Sequence, residues 1–219
     1  MSFVLSRRTF LAWAGASASV AVSSKAGARS RDLPRPMTLV VGDAAPDFTL
    51  TDTKNVAHAL STYRGSAVVL EWTNHECPYV AKHYGTRNMQ RLQAEATVGG
   101  AIWLSIVSAG HGGSGFISPA DANQLTRSRG ASPTAVLLDC TGEVGRLFGA
   151  MTTPHMFVIA PDGNLAYMGA IDDQRSTDPA TVPIARNFVR EALADLRAGR
   201  PVATAFTAPY GCSIKYPAT

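Results

Sequence analysis

A cysteine between a predicted strand and a predicted helix has the clearest chemical potential in this sequence. Cys77 follows the apolar run 68–70 after a short polar loop, and it immediately precedes Pro78, a residue favoured in the first turn of a helix. At a helix N-terminus, free backbone N–H groups and the helix dipole stabilise a thiolate and lower the thiol pKa from its usual value of ~8.5. The thiolate is the form that attacks peroxides and disulfides. The alternative, an inert buried cysteine, is weakened by the proline and the polar neighbours.

Ionisable side chains near this cysteine could move protons or hold a metal. Glu71 lies in the otherwise apolar strand before the loop. If it is buried, desolvation raises its pKa and it could accept the proton of Cys77; the alternative is an edge residue that points to water. His75 and His155 could tune the charge of the thiol. With Cys77 they could instead form a soft Cys/His metal site of the kind that binds copper.

Composition restricts the class of protein. The chain has 219 residues, of which 46% are hydrophobic and 16% charged, so it has enough apolar material for a core and is not a disordered chain. The formal charge of +4 arises largely from Arg7, Arg8 and Lys25 in a first segment without acidic residues. The rest is nearly neutral, which gives no reason to expect a nucleic-acid partner. The glycine-rich loop 110–115 lacks the Lys-Ser/Thr of a phosphate-binding loop.

The first residues predict export. Arg7 and Arg8 are followed by Phe10-Leu11, an apolar run over 12–22 and a small-residue exit ending at Ala28. This segment is similar to a twin-arginine signal. The apolar run is shorter than the ~20 residues that a membrane span needs, so a transmembrane anchor is the weaker interpretation. We expect cleavage near Ala28, a periplasmic product, and contact with the membrane only during export.

The cysteine count is odd. Of Cys77, Cys140 and Cys212, at most two can form a disulfide within one chain in an oxidising compartment, which leaves one thiol to be explained. Cys140 ends a predicted buried strand and is expected to be a core residue. Cys212 lies in the C-terminal tail.

The predicted elements define an α/β fold with a mixed central sheet flanked by helices, an N-terminal hairpin and an inserted strand-helix unit. We expect a signal over 1–28, a linker over 29–42, a folded domain over 43–198 and a tail over 199–219. The predicted hairpin covers 47–58, and the other strands cover 66–73, 101–107, 134–139, 155–160 and 165–169. The predicted helices cover 78–97, 119–129, 143–148 and 183–198, with His83 and His111 exposed and Tyr84 and Met89 in the core.

Three separated motifs together resemble one family. The stretch 42–50 (Gly-Asp-Ala-Ala-Pro-Asp-Phe-Thr-Leu), the loop 72–78 and Pro154 at the start of a strand are similar to the redoxin branch of the thioredoxin superfamily, which includes the alkyl hydroperoxide reductase/thiol-specific antioxidant (AhpC/TSA) proteins. The resemblance covers roughly 41–198. It implies a thioredoxin-like fold in which Pro154 is a cis-proline beside Cys77. The backbone of Thr153 then offers a strand-like edge to a substrate or partner chain.

Two departures from the family pattern affect the predicted chemistry. Val80 stands where thioredoxin-like reductases carry the second cysteine of Cys-x-x-Cys, so dithiol exchange within that helix is impossible. Asn74 stands where peroxiredoxins place a threonine or serine, and Leu70 where they place a proline. Asn74 can still form hydrogen bonds, but it lacks the hydroxyl that orients a peroxide. The activating arginine of peroxiredoxins also has no clear match, which argues against a fast peroxidase.

The resemblance implies a periplasmic thiol-dependent oxidoreductase with antioxidant or redox-homeostasis roles. Cys77 reacts with peroxide or with protein disulfides and sulfenates, and Cys212 is either the remote resolving thiol or a structural tail cysteine. No cofactor is expected, but an external thiol reductant or thioredoxin-like electron donor is. The candidate catalytic residues are Cys77, Cys212, Glu71 and Asn74, and the candidate substrate-binding residues are Trp72, Pro78, Tyr79, Thr153, Pro154 and His155. The alternatives are a copper-binding metallochaperone that uses Cys77, His75 and His155, and a degenerate redoxin that only recruits partners.

Overall fold

A computed structural model of the chain describes residues 39–217. The predicted signal over 1–28 and most of the predicted linker lie outside this range. The strands are β1 (Thr49–Thr51), β2 (Ala57–Ala59), β3 (Val68–Trp72), β4 (Ile102–Val107), β5 (Ala135–Leu138), β6 (Thr152–Thr153), β7 (His155–Ile159), β8 (Leu165–Gly169) and β9 (Cys212–Ser213). The helices are α1 (Pro78–Gly85), α2 (Asn88–Val98), α3 (Pro119–Arg129), α4 (Glu143–Phe148) and α5 (Phe188–Arg197), with 3-10 turns at Leu60–Tyr63 and Pro179–Ile184.

The centre of the fold is a five-stranded mixed sheet in the order β5-β4-β3-β7-β8. The strands β3, β4 and β5 run parallel, while β7 is antiparallel to both β3 and β8. Every residue of β3 and of β7 is buried, as expected for central strands covered on both faces. The N-terminal hairpin is β1 paired with β2. The predicted mixed α/β fold is therefore confirmed.

Alternation along β3 creates two cores. Val69 points to a core made with residues of α1, α2 and α5, and Cys77 belongs to this core. Leu70 and Trp72 point to the opposite core, which includes Phe148 of α4. The candidate nucleophile thus lies on one defined face of the sheet.

Two predicted helices have different limits. The predicted helix 78–97 is divided into α1 and α2, because Arg87 adopts a left-handed conformation with φ 60° and ends the first helical run. The predicted helix 183–198 begins later, at Phe188, because the side chain of Asn187 accepts a hydrogen bond from the Arg190 N–H and caps the helix there. Pro183 lies within the preceding 3-10 turn instead.

Both boundaries of the predicted domain are also different. Leu39 is already buried in the core, and the Gly42 N–H donates to the Leu165 carbonyl at 2.8 Å, so ordered packing begins before the expected residue 43. At the other end, the tail returns to the domain and adds β9 to β6 in antiparallel register. Among residues 39–217, no helix is both long enough and apolar enough to cross a membrane.

Candidate active site

Cys77 occupies the position that the sequence predicts, directly before the first residue of α1. Its backbone is extended (φ −80°, ψ 122°), and Pro78 begins the helix. The Cys77 N–H donates to the Asn74 carbonyl at 3.2 Å, which closes the polar loop after β3. The side chain is only 1% exposed, so it faces other protein groups rather than water.

The tail brings a second thiol to this cysteine. In the pairing of β6 with β9, Thr153 is the partner of Cys212. The two sulfur atoms, Cys77 Sγ and Cys212 Sγ, are 2.8 Å apart, and Cys77 Sγ is 3.0 Å from the Thr153 carbonyl oxygen. Both cysteines are free thiols. Residues that are 135 positions apart in sequence therefore form one dithiol site.

The surroundings make the two thiols unequal. Burial raises the pKa of Cys77, but hydrogen bonds with the Cys212 thiol and with the Val80 and Cys212 backbone outweigh this effect, so that the pKa of Cys77 is lowered. Burial, the hydrogen bond with Cys77 and the charge of Cys77 raise the pKa of Cys212 to about 11. The pair therefore ionises at Cys77, while Cys212 keeps its proton.

The cis-proline loop completes the site. The Thr153–Pro154 peptide bond is cis, as the resemblance implies. Thr153 is buried, and its backbone edge is occupied by β9 of the same chain rather than being free. Pro78 is exposed next to the thiol, and the partly buried ring of Tyr79 packs edge-to-face against Tyr210 with the ring centroids 5.7 Å apart.

Glu71 is fully buried, so the alternative that it points to water is wrong. Burial raises its pKa against the opposing effect of its hydrogen bonds. The carboxylate accepts hydrogen bonds from four side chains, none of which is Cys77: Tyr84, Gln93, Trp103 and Ser105. The structure thus places Glu71 on the correct face of the sheet but gives it no hydrogen bond to the thiol whose proton it was expected to accept.

Asn74 shapes the loop rather than contacting the sulfur. Its side-chain oxygen accepts the Glu76 N–H at 2.8 Å, and its backbone carbonyl accepts the Cys77 N–H. Glu76 in turn accepts the Gly115 N–H at 2.8 Å, which connects the cysteine loop to the glycine-rich loop. Asn74 is therefore placed as a residue that positions Cys77.

Two expected substrate-binding residues lie elsewhere. Trp72 is fully buried in the opposite core, where its indole N–H donates to Ser108 at 3.0 Å and its ring packs on Phe157. His155, the register partner of Trp72, shares that face and accepts the Met151 N–H at 3.2 Å. Burial lowers the pKa of His155 to about 4. The expectation that these side chains line the site with Cys77 is wrong, because adjacent strand residues point to opposite faces.

The residues of the copper alternative are not brought together. Cys77 and His155 lie on opposite faces of the sheet, and His75 lines a cavity with Ile117 and Leu125. Within residues 39–217, no group of three His, Cys, Asp or Glu side chains could hold a metal ion.

A buried polar cluster beneath the tail was missed by the sequence analysis. His83, expected to be exposed, is completely buried, and its Nδ1 accepts a hydrogen bond from the Asn88 amide at 2.9 Å. Burial and the nearby Lys82 charge lower the pKa of His83 to about 3, so it is neutral. The Tyr210 hydroxyl donates to the buried carboxylate of Asp172. In the sequence, the one sign of this cluster is Tyr210, an aromatic residue two positions before Cys212.

Similarity to known proteins agrees with this geometry. The AhpC/TSA family matches residues 41–168. A protein of Geobacillus kaustophilus (strain HTA426) named thiol-disulfide oxidoreductase ResA is 34% identical over 126 residues, which are 52% of this chain and 72% of that protein. Two solved structures share the fold with a TM-score of 0.71: an uncharacterized conserved protein from Geobacillus kaustophilus (26% identity, 83% of this chain and 94% of that one) and a hypothetical protein from Sinorhizobium meliloti 1021 (22% identity, 83% and 97%).

A mixed sheet flanked by helices, a cysteine at the start of α1 and a cis-proline opposite it define the class of thioredoxin-fold redoxins, which act as thiol-disulfide oxidoreductases. Within that class, the chain belongs to the AhpC/TSA family. The resemblance seen in the three sequence motifs is confirmed.

Proposed function

We propose that this protein exchanges disulfides with other proteins through a Cys77–Cys212 dithiol/disulfide couple. The observation that carries the proposal is the 2.8 Å separation of the two sulfur atoms together with their opposite pKa shifts. A nucleophile and a resolving thiol are the two groups that such a couple needs. Cys212 takes the role that the second cysteine of Cys-x-x-Cys plays in related reductases, where this chain has Val80.

The reaction proceeds in two steps. The Cys77 thiolate attacks one sulfur of a protein disulfide, forms a mixed disulfide and releases the other sulfur as a thiolate. The proton of Cys212 passes to that released thiolate. The Cys212 sulfur then attacks the Cys77 sulfur, which breaks the mixed disulfide and releases the second partner sulfur as a thiolate. The products are the Cys77–Cys212 disulfide and a fully reduced partner, so two electrons leave the dithiol. An external dithiol protein restores it.

Peroxide is the second candidate oxidant. The Cys77 thiolate would attack one peroxide oxygen and break the O–O bond, which releases hydroxide or alkoxide and leaves a sulfenic acid on Cys77. The Cys212 thiol would then displace the sulfenic hydroxyl as water and form the same disulfide. The side-chain oxygen of Asn74 already accepts the Glu76 N–H, and Asn74 has no hydroxyl with which to orient a peroxide. We therefore propose protein disulfides, and not peroxide, as the preferred substrate.

We assign the reaction to the periplasm. The support is the N-terminal sequence, with its paired arginines and apolar run, and the chemistry of a dithiol couple, which suits an oxidising compartment. The partners are then an oxidised protein on one side and a thiol reductant on the other.

Trapping with an aromatic disulfide such as dithiobis(nitrobenzoate) tests the order of attack. The Cys140→Ser chain should release two thiolates and show a Cys77–Cys212 linkage by peptide mass spectrometry. Adding Cys212→Ser should stop the reaction at a mixed disulfide on Cys77, and adding Cys77→Ser should slow the first step strongly. A mixed disulfide that forms first on Cys212, or a linkage through Cys140 in the natural chain, would contradict the proposal.

A further inference from the structure

The tail occupies the edge of the cis-proline loop as a substrate strand would. Cys212 pairs with Thr153 and Ser213 with Thr152 in antiparallel register, and the Ile214 N–H continues the ladder to the Met151 carbonyl at 3.0 Å. Backbone hydrogen bonds to a sheet edge, with alternate side chains in separate recesses, are a general mode of peptide recognition.

The side chains of the tail alternate between protein and solvent. Tyr210, Cys212, Ile214 and Tyr216 are buried or partly buried, whereas Ser213 and Lys215 are exposed. This alternation is that of a strand lying in a groove.

Each inward side chain has its own recess. The Tyr210 hydroxyl donates to Asp172 and its ring packs on Tyr79, and the Cys212 sulfur contacts the Cys77 sulfur. Ile214 packs against the core on the other side of the loop.

The recess for Tyr216 depends on two glycines. The Tyr216 hydroxyl donates to the Ala150 carbonyl at 2.7 Å, and Arg146 lies over its ring at 4.8 Å from the centroid. A Cβ at Gly142 would come within 2.6 Å of this ring, and one at Gly145 within 2.5 Å. The groove is therefore shaped around an aromatic side chain four residues after the cysteine.

The approach of the tail to the loop requires Gly211. It has a φ of 144°, and a Cβ at this position would overlap the Thr153 carbonyl. While the tail is in place, Cys77 is 1% exposed, so a protein disulfide cannot reach it.

We infer that residues 210–216 are a tethered pseudosubstrate, and that partner proteins displace this segment by placing an extended strand of the same pattern in its groove. The pattern is aromatic-x-Cys-x-aliphatic-x-aromatic, with a small residue directly before the cysteine. The inference rests on the proposed function and names the substrate class of the same site. Return of the tail then delivers Cys212 to Cys77 and expels the partner strand, while the Cys77–Cys212 disulfide keeps the groove closed until it is reduced.

A redox-inactive peptide tests the inference directly. The probe is fluorescent Tyr-Gly-Ser-Ser-Ile-Lys-Tyr, with serine at the cysteine position. It should bind the full reduced chain carrying Gly211→Val, whose tail is released, about tenfold more tightly than it binds the unsubstituted chain, because a competing tail lowers the fraction of open groove. The control peptide Gly-Tyr-Ser-Ser-Ile-Tyr-Lys places both aromatic residues on the outward side and should not bind.

Gly199→Ala is the matched control variant, since Gly199 also has a positive φ of 66° but a Cβ there meets no atom within 4 Å. It should bind the probe as the unsubstituted chain does. Tyr216→Ala loosens the tail without altering the cis-proline edge. Its affinity for the probe should lie between that of Gly211→Val and that of the unsubstituted chain. Hydrogen exchange over 209–217 reports tail release independently of binding.

Equal binding of the two peptides, or no gain with Gly211→Val when exchange shows the tail released, would overturn the inference. The trapping reaction with the small disulfide distinguishes this failure from that of the proposed function. If the Cys77–Cys212 linkage still forms there, only the pseudosubstrate role is lost.

Discussion

Cys77 and Cys212 carry the same thiol group, yet their surroundings move the two pKa values in opposite directions. Burial raises the pKa of both thiols. At Cys77, the hydrogen bonds from Cys212 and from backbone N–H groups outweigh it, whereas Cys212 faces a developing negative charge. The order of attack that we propose therefore rests on a geometry that two isolated cysteines would not have.

The reactivity of Cys77 should rise at lower pH than that of an ordinary thiol. Because its pKa is lowered, alkylation of Cys77 in the Cys140→Ser chain should reach half of its plateau rate below pH ~8.5. Cys212→Ala removes a hydrogen-bond donor to the thiolate and should shift this midpoint upward. Rates of iodoacetamide labelling measured by peptide mass spectrometry give both profiles. A midpoint at or above that of a free thiol, unchanged by Cys212→Ala, would show that the thiolate is not stabilised.

The sequence proposed Cys77, Cys212 and the Thr153–Pro154 loop as candidates, because cysteines and a strand-leading proline are recognisable without coordinates, and the structure brings these residues together. It misplaced Trp72 and His155, since proximity to the cysteine or the proline in sequence does not say which face of the sheet a side chain occupies. It also missed the burial of His83, whose partner Tyr210 comes from a distant part of the chain.

Among the secondary-structure elements, the short strand β9 is the one that brings Cys212 to Cys77, through its pairing with β6. Local patterning predicted β3, β4, β5, β7 and β8 well, because each is a run of apolar residues with turns at its ends. It could not predict the two-residue pairing of β6 with β9, which depends on a long-range return of the tail. The division between α1 and α2 was hidden for a similar reason, because the apolar spacing continues across Arg87.

Removing the Tyr210 hydroxyl should loosen the tail. Tyr210→Phe removes one of the hydrogen bonds to the buried Asp172 carboxylate and leaves it the Gln174 N–H, and this loss should cost about 1–3 kcal/mol of unfolding free energy and speed amide exchange over 209–213. Urea unfolding and hydrogen exchange give the two readouts.

Tyr79→Phe is the matched control, because the Tyr79 ring packs on Tyr210 but its hydroxyl has no hydrogen bond within residues 39–217. This variant should change neither quantity appreciably. An equal loss in both variants would mean that Tyr210 acts by ring packing alone.

In the molecule as a whole, the contact between the two thiols brings the C-terminal tail to the start of α1. Cys77 lies just after the first central strand and Cys212 lies near the C-terminus, so a disulfide between them would close a loop spanning most of the folded chain. Composition and the alternation of strands and helices were enough to predict the α/β class. They could not predict that residues 199–217 belong to the folded unit, since the tail itself has little regular structure.

Oxidation should stabilise the fold. The two cysteines are 135 residues apart, and closing a loop of that size restricts the unfolded chain, so the oxidised form should exceed the reduced form by about 2–5 kcal/mol in unfolding free energy. Urea unfolding of the Cys140→Ser chain with and without reductant measures the difference. The Cys212→Ser chain should show no dependence on reductant. An oxidised form that unfolds at the same urea concentration as the reduced one would contradict this expectation.

The proposed function requires that Cys77 and Cys212 form one reversible two-electron couple. Equilibration of the full chain in a series of reduced and oxidised glutathione mixtures, followed by acid quenching and peptide mapping, measures it directly. We expect a single transition in which the Cys77–Cys212 linkage rises as both thiols disappear together, with Cys140 unchanged. Stable glutathione adducts on Cys77 in place of the linkage at every ratio would contradict it.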